Sequence, residues 1–236
     1  MWFIAKQESI EKSGVFNNFV DYHSHLLPGV DDGMQTLEET LDTLNYFEEH
    51  GAKTIWFTPH IMEDIPNTTE HLQQQFRALQ KVYQGNIELH LAAEYMLDGL
   101  FDERLAARDL LLHGQNEVLV ETSYFNPPMG LENTLKEILS KGYFPVLAHP
   151  ERYNYMTMDQ YIHLHNIGVK FQLNLPAIVG SYGSTVKKKA EELLFKGIYD
   201  FIGTDTHTLS SLKKNAQIKI SKKHITALNK ITHAEI

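Results

Sequence analysis

Short apolar or β-branched runs alternate with longer amphipathic segments along most of the chain. The amphipathic segments have helical periodicity, as in the stripe of Leu37, Leu41 and Leu44, and most of them stop at a glycine. Strands that alternate with helices indicate an α/β fold with a parallel sheet, either open or closed into a barrel. The predicted strands are Phe19–Tyr22, Thr54–Thr58, Glu88–Ala93, Glu117–Glu121, Phe144–Ala148, Lys170–Leu173 and Tyr199–Gly203.

No linker, charge block or low-complexity tract divides the chain. The alternating pattern therefore predicts one domain over residues 19–236, preceded by an N-terminal extension of residues 1–18. The apolar start of this extension is broken at Lys6 and Glu8, so it lacks the apolar core of a signal peptide. No apolar run is long enough to cross a bilayer, and we expect a cytoplasmic protein without membrane insertion.

Charge and cysteine content narrow the possible chemistry. The 30 acidic residues outnumber the 21 basic ones, which argues against a nucleic-acid-binding surface. The chain has no cysteine, and this excludes disulfides, thiolate zinc sites and a cysteine nucleophile. Any hydrolytic chemistry must come from oxygen and imidazole groups.

Almost every predicted strand is followed by a side chain that can bind a metal. In a parallel barrel the carboxyl ends of the strands converge on one mouth, so these side chains should meet there. Imidazoles with carboxylates suit Zn²⁺, Mn²⁺ or iron better than Cu(I) or Ca²⁺. The strand-end residues are Asp21, His23, His25, Asp32, His60, Glu94, Glu121, His149, Asp205 and His207.

Taken singly, each of these residues could equally be a cap or a turn residue. His163 and His165 repeat the spacing of His23 and His25, but on a helix that spacing points the side chains apart. Position at a strand end is therefore the informative feature. The remaining histidines lie in helices or connections and are expected mostly at the surface: His50, His71, His90, His113, His163, His165, His224 and His233.

The motifs "DYHSHLLPGVDDG" and "HPERY" resemble the PHP (polymerase and histidinol phosphatase) superfamily, and within it the bacterial capsule-biosynthesis tyrosine phosphatases. The resemblance runs from about Phe19 to His207, with "PH", two glutamates and "DTH" in the expected order. It implies a distorted (β/α)7 TIM-like barrel with a metal site at the carboxyl ends of the strands. That site would hold two or three divalent ions, Mn, Fe or Zn.

Carried over by position, the resemblance implies a trinuclear centre in which Glu94 is shared by two metals. The first metal would take His23, His25, Glu94 and Asp205, the second Glu94, Glu121 and His149, and the third Asp32, His60 and His207.

Three neighbouring residues are expected to support these ligands. Asp21 would lie behind them and orient an imidazole, whereas Asp31 would only shape its loop. Arg152 would hold the phosphate with its planar fork; the alternative is a salt bridge to Glu151 or another acid.

The sequence departs from this branch after "DTH". The branch commonly has an asparagine next and then a phosphate-binding arginine, whereas this chain has Thr208 and no arginine. Lys213 or Lys214 could replace that arginine as a point charge. The departure bears on the second phosphate contact and on substrate specificity, and not on the metal ligands.

The expected function is therefore hydrolysis of phosphotyrosine in a protein by a metal-activated hydroxide. The substrate is expected to be a bacterial tyrosine kinase that regulates capsular or exopolysaccharide synthesis. An alternative is a small-molecule phosphomonoesterase such as a histidinol-phosphate phosphatase. A catalytically inactive scaffold is disfavoured because all nine ligands are present, and no pattern indicates an oligomeric state.

Overall fold

The computed structural model describes residues 7–232. Its strands are β1 (Gln7–Ser9), β2 (Val20–Ser24), β3 (Thr54–Phe57), β4 (His60–Ile61), β5 (Glu88–Leu91), β6 (Glu94–Met96), β7 (Glu117–Glu121), β8 (Phe144–Ala148), β9 (Lys170–Asn174), β10 (Phe201–Gly203) and β11 (Lys219–Ser221). Its α-helices are α1 (Leu37–Glu49), α2 (Thr69–Val82), α3 (Gly99–Ala107), α4 (Leu131–Ser140), α5 (Met158–Asn166), α6 (Leu175–Val179), α7 (Ser184–Lys196), α8 (Leu209–Ala216) and α9 (Lys222–Thr232).

The strands form two parallel sheets rather than one continuous barrel. One sheet has the order β10-β9-β8-β7-β6-β4 and the other the order β2-β3-β5. Two strands are interrupted and each contributes to both sheets. Their first parts, β3 and β5, lie in the small sheet, and their second parts, β4 and β6, lie in the large one. The first interruption contains Pro59, which has no backbone N–H to donate to a ladder.

The two sheets meet again where β2 lies beside the end of β10. The Asp205 amide donates to the His23 carbonyl at 2.7 Å, and the His25 amide donates to the Thr206 carbonyl at 3.0 Å. The prediction of parallel strands alternating with helices is confirmed. The strands do not close into one continuous ladder, because the interrupted strands divide the hydrogen bonding of the expected distorted barrel between two sheets.

Helices α1–α5 and α7 lie in the amphipathic segments between the predicted strands, whereas α6, α8 and α9 were not predicted from the sequence. Helix α3 ends earlier than the amphipathic segment that predicts it, which runs from Phe101 to Gly114. This helix ends at Ala107, because Arg108 takes a left-handed conformation (φ 57°) and closes the last turn. Among residues 7–232, no helix is both long enough and apolar enough to cross a membrane.

The described part of the predicted N-terminal extension packs into the domain. β1 pairs antiparallel with β11, with Glu8 opposite Ile220. Phe16 is buried and its ring lies edge-on to Phe19, with 5.3 Å between centroids. Residues 7–18 therefore contribute to the core, whereas residues 1–6 lie outside the described residues.

The main apolar core lies between the strands and the surrounding helices. A second, small apolar cluster lies apart from it and consists of Leu119, Val146, Ala148 and Phe201, with Tyr22 packed against it. All five residues belong to strands of the two sheets. The side chains that face the interior are thus apolar at one end, whereas the other end carries the polar cluster described next.

Candidate metal centre

All nine predicted metal ligands lie in one cluster at the carboxyl ends of the strands. Seven of them fall into three groups, each with all its ligand atoms within 4.8 Å of one another, and His149 and Asp205 adjoin these groups through Glu94 and His25. Because the groups share His25, His60 and Glu94, they form a single continuous site. The groups are His25, Asp32, His60 and His207; His23, His25 and Glu94; and His60, Glu94 and Glu121.

A bulge in β2 directs the two histidines of the HxH motif into this site. Asp21 pairs with Ile55 and Ser24 with Phe57, so β2 has one residue more than β3 between the two pairs. Such a bulge changes the face to which the following side chains point. His23 and His25 therefore point to the cluster, although Tyr22 also lines the interior, towards the other end.

Glu94 is the centre of the cluster. Its Oε2 lies 3.2 Å from His23 Nε2, 3.3 Å from His25 Nε2 and 3.2 Å from His60 Nδ1. Its Oε1 lies 2.9 Å from His149 Nε2. The side chain of Glu94 is only 1% exposed, yet neither its Oε2 nor His60 Nδ1 has a hydrogen-bond partner in the described chain. Four imidazoles around one buried carboxylate fit bound cations better than a hydrogen-bond network.

Asp205 and Asp32 extend the cluster towards the mouth. Asp205 Oδ1 lies 3.5 Å from His25 Nε2 and 3.5 Å from His207 Nδ1. Asp32 Oδ1 lies 3.4 Å from His207 Nε2 and 3.6 Å from His60 Nε2. The Asp32 side chain is 66% exposed. This side of the cluster is therefore the one that solvent and a substrate can reach.

Backbone strain is concentrated at two of the ligands. His149 has φ 35° and Asp205 has φ 51°, in the left-handed region that residues with a side chain rarely adopt. Only two further non-glycine residues between positions 7 and 232, Asn18 and Arg108, have a positive φ. Strained conformations of this kind are typical of functional sites, where the surrounding structure holds a side chain in place.

The acid–base properties of the cluster also favour bound cations. Burial, together with the charges of Glu94 and Asp205, raises the pKa of the Glu121 carboxyl well above its usual range. Burial lowers the pKa of His60 to about 4, so this imidazole is neutral and can act as a ligand. Divalent ions would remove the repulsion between the carboxylates that raises the pKa of Glu121.

Arg152 lies at the edge of the cluster between two tyrosine rings. Its guanidinium carbon is 4.0 Å from the centre of the Tyr124 ring and 4.6 Å from that of the Tyr182 ring. Its Nη1 donates to Asp205 Oδ2 at 3.2 Å, and its side chain is 20% exposed. The acid that pairs with Arg152 is thus Asp205 and not Glu151, which is buried and bonded to the Tyr199 hydroxyl.

The family of the chain follows from a comparison that covers most of its length. A family model described as "Capsular polysaccharide synthesis, CpsB/CapC" matches residues 19–232. The chain belongs to the CpsB/CapC family. This confirms the family that was predicted from the strand-end motifs.

Several relatives in this family have names that state an activity. Tyrosine-protein phosphatase YwqE of Bacillus subtilis is 26% identical over 207 residues, which are 84% of this chain and 81% of YwqE. Tyrosine-protein phosphatase CpsB of Streptococcus pneumoniae is 28% identical over 206 residues, 81% of this chain and 84% of CpsB. The putative tyrosine-protein phosphatase CapC of Staphylococcus aureus is 24% identical over 201 residues, 81% of this chain and 78% of CapC.

Two solved structures share the fold. One is a structure from work on YwqE and the S. pneumoniae CpsB, which are described as "unique metal-dependent tyrosine phosphatases". Its TM-score is 0.73 at 24% sequence identity, and the match covers 92% of this chain and 87% of the solved chain. A phosphotriesterase homology protein from Escherichia coli, with phosphate in its active site, has a TM-score of 0.50 at 13% identity, with coverages of 92% and 93%. Both comparisons support the α/β fold.

Two residues that orient ligands in this CpsB/CapC member were not predicted. Asp31 Oδ2 accepts a hydrogen bond from His25 Nδ1 at 2.8 Å, and Gln172 Oε1 accepts one from His23 Nδ1 at 2.8 Å. Burial raises the pKa of Asp31, but the bond and charge of His25 outweigh this and hold the pKa at about 2. Both imidazoles therefore present Nε2 to the cluster. Asp31 does more than shape its loop.

Asp21 is buried behind the cluster but contacts no imidazole. Its carboxylate accepts hydrogen bonds from the Thr204 amide at 2.8 Å, the Thr204 hydroxyl at 2.6 Å and the His23 amide at 3.2 Å. Burial raises the pKa of Asp21 to about 7. The role expected for Asp21, to orient an imidazole, belongs to Asp31 and Gln172, and Asp21 instead joins the backbones of β2 and β10.

The two lysines that could replace the missing arginine point in different directions. Lys213 Nζ lies 5.4 Å from the centre of the Tyr46 ring. Lys214 lines a cavity of about 500 Å³ whose wall includes Asp205, His207 and Tyr182. Of the two lysines, Lys214 is the one that borders the cluster.

Proposed function

We propose that this protein is a metal-dependent phosphatase that hydrolyses phosphotyrosine in proteins. The observation that carries the proposal is the largely buried cluster of five imidazoles and four carboxylates, with a guanidinium at its edge. Because the chain has no cysteine nucleophile, a water activated by metals in this cluster can take that role. The names of the YwqE and CpsB relatives support phosphotyrosine as the substrate.

The contacts support the ligand assignment made from the family motifs. His60 lies within 3.3 Å of both Glu94 and Glu121, so it would also adjoin the second metal. In this proposal the two sheets are parts of one distorted seven-stranded barrel, and its mouth holds two or three ions of Mn, Fe or Zn. The ligands would be His23, His25, Glu94 and Asp205; Glu94, Glu121 and His149; and Asp32, His60 and His207.

Bound metals would supply Lewis acidity and lower the pKa of water. The chain itself supplies the phosphate contacts. The rings of Tyr124 and Tyr182 hold the Arg152 guanidinium flat, and its remaining N–H groups can donate to two phosphoryl oxygens. Lys214, which lines the same cavity as Asp205 and His207, adds a second positive charge without the bidentate geometry of an arginine.

We infer that the substrate is a protein and not a free metabolite. The loop after β7 presents Phe125, which is 74% exposed, and the fully exposed Met129, both on the side of the mouth. Exposed apolar side chains of this kind favour contact with a polypeptide. Given the family, the substrate is assigned as a tyrosine kinase that regulates capsular or exopolysaccharide synthesis, in the cytoplasm.

The experiment compares kcat/KM on a phosphotyrosyl peptide and on histidinol phosphate, for metal-replete and metal-stripped enzyme. We expect hydrolysis of the peptide to be preferred, to disappear on stripping and to return with Mn²⁺. Peptide hydrolysis that survives exhaustive stripping would contradict the metal-dependent mechanism. A preference for histidinol phosphate would instead favour the small-molecule phosphomonoesterase, which the missing arginine keeps as the alternative.

A further inference from the structure

The side chain of Tyr182 lies at the edge of the metal cluster beside Arg152. It lines the cavity of about 500 Å³ whose wall also includes Asp205, His207 and Lys214. Its ring packs on the Arg152 guanidinium, with 4.6 Å from the guanidinium carbon to the ring centre. Tyr182 is 36% exposed, so part of this side chain is open to a bound molecule.

The contacts of Asn174 determine the direction of the hydrogen bond to the Tyr182 hydroxyl. Asn174 Nδ2 lies 2.7 Å from Asp205 Oδ2 and 3.1 Å from the Tyr182 hydroxyl oxygen. The amide nitrogen must face the carboxylate, because the amide oxygen would there meet a second acceptor. Asn174 therefore donates one hydrogen to Asp205 and its other hydrogen to Tyr182.

The Tyr182 hydroxyl is thus an acceptor towards Asn174, and its own proton is free to be donated. Within residues 7–232 no group accepts a hydrogen bond from it. Burial and the negative charge of Asp205 raise the pKa of Tyr182, so the hydroxyl stays protonated at neutral pH. Tyr124, the other tyrosine that packs on Arg152, differs because its hydroxyl donates to Glu121 Oε2 at 3.4 Å.

This free donor is close to the expected position of a phosphoryl group. Arg152 Nη1 and Asn174 Nδ2 both donate to Asp205 Oδ2, so this oxygen joins the guanidinium to the residue that holds the Tyr182 hydroxyl. We propose that the Tyr182 hydroxyl donates a hydrogen bond to a phosphoryl oxygen of the substrate, as a phosphate contact in addition to Arg152. This inference rests on the proposed phosphatase function.

The contact stabilises negative charge and transfers no proton. The hydroxyl keeps its proton, and its hydrogen bond becomes stronger as charge develops on the phosphoryl oxygens in the transition state. The hydrogen bond from Asn174 orients the hydroxyl and polarises it, which makes it a better donor. A hydrogen bond to a charged oxygen is also stronger than one between neutral groups.

The test measures the binding of inorganic phosphate to the Zn²⁺-loaded full chain by isothermal titration calorimetry. Tyr182→Phe keeps the ring on Arg152 and removes only the hydroxyl. We expect its Kd for phosphate to rise roughly ten- to a hundredfold, the usual effect of one hydrogen bond to a charged group. Its kcat/KM on a phosphotyrosyl peptide should fall by at least as much, and its metal content by elemental analysis should equal that of the wild type.

The matched control is Tyr143→Phe, which removes a hydroxyl from the residue before β8. This residue lies at the amino end of the strand, whereas the cluster lies at the carboxyl ends, so the Kd for phosphate should not change. Tyr124→Phe removes the hydroxyl of the second ring on Arg152 and should weaken phosphate binding less than Tyr182→Phe, because that hydroxyl is directed at Glu121.

A readout on the wild type avoids dependence on folding of the variants. The ¹³Cζ resonance of Tyr182 in the Zn²⁺-loaded protein should move on addition of phosphate, and that of Tyr143 should not. An unchanged Kd in Tyr182→Phe, an equal loss in Tyr124→Phe, or loss of metal from Tyr182→Phe would each overturn the proposal. If phosphate binding depends on the Tyr182 hydroxyl but the peptide is not hydrolysed, this contact is confirmed and the phosphotyrosine function is wrong.

Discussion

Replacement of Arg152 by alanine separates phosphate binding from metal binding. Arg152 makes one hydrogen bond to Asp205 and lies against two aromatic rings, and within residues 7–232 it forms no salt bridge with another proposed ligand. Asp205 Oδ2 keeps a second donor in the variant, Asn174 Nδ2 at 2.7 Å. We therefore expect the metal content of Arg152→Ala to equal that of the wild type.

The expected magnitudes follow from these contacts. Removal of one positioned donor to a transition-state oxygen typically reduces kcat by about 10²- to 10³-fold, or roughly 3–4 kcal/mol. The two cation–π contacts contribute roughly 0.5–1 kcal/mol each at a partly exposed position, so the free energy of unfolding should fall by only about 1–2 kcal/mol. The variant should thus be folded, metal-loaded and nearly inactive.

The assay measures kcat/KM on a phosphotyrosyl peptide, metal content by elemental analysis and thermal melting. Arg152→Lys should have intermediate activity, because it keeps a positive charge between the tyrosine rings but loses the planar guanidinium that can bind two phosphoryl oxygens. Arg77→Ala, on the exposed side of α2, is the matched control and should have wild-type activity. Loss of metal from Arg152→Ala in proportion to its activity, or unchanged activity, would refute the role given to Arg152.

Three other predictions concern residues around the cluster. Asp31→Asn should weaken metal affinity about 10- to 100-fold in chelator competition, because His25 loses the charged partner that orients it. The control Asp42→Asn, at an exposed position, should keep wild-type affinity, and equal affinities for the two variants would contradict this role of Asp31. Lys214→Met should raise KM for the peptide several-fold and Lys213→Met should not, since only Lys214 borders the cluster; equal effects would contradict the assignment. Burial raises the folded pKa of Glu151 from 4.5 to about 7, so its stabilising contribution is present below about pH 4.5 and is lost as the pH rises to about 7. Relative to Glu151→Gln, the wild type should therefore lose up to roughly 3 kcal/mol of unfolding free energy over this range in denaturant titrations, and parallel curves would show that the carboxyl is ionised throughout.

The alternation of strands and helices, and the residues that end each strand, could be predicted from the sequence. Apolar runs such as Glu117–Glu121 and Phe144–Ala148 coincide with β7 and β8, because a buried parallel strand needs a continuous apolar segment. The strand-end position of a histidine or carboxylate then gives its place in the site. This is why the proposed ligands could be selected although no single residue was informative.

Features that depend on distant contacts could not be predicted. The pairing of β1 with β11 joins strands of three residues from opposite ends of the chain, and neither has a distinctive pattern. Asp31 and Asp32 are neighbours with similar side chains, and only the path of their loop determines which one contacts His25. The burial of His113 likewise depends on the bond to the Tyr22 carbonyl, a contact between residues far apart in the sequence.

The central claim is that Glu94 and its neighbours form a multinuclear metal centre, and metal content per chain tests it most directly. Elemental analysis of wild type and Glu94→Gln, both prepared with excess Mn²⁺, Fe²⁺ or Zn²⁺, should give two or three ions for the wild type and fewer for the variant, because Glu94 contacts four of the imidazoles. Fewer than two ions in the wild type, or the same number in both proteins, would contradict the account.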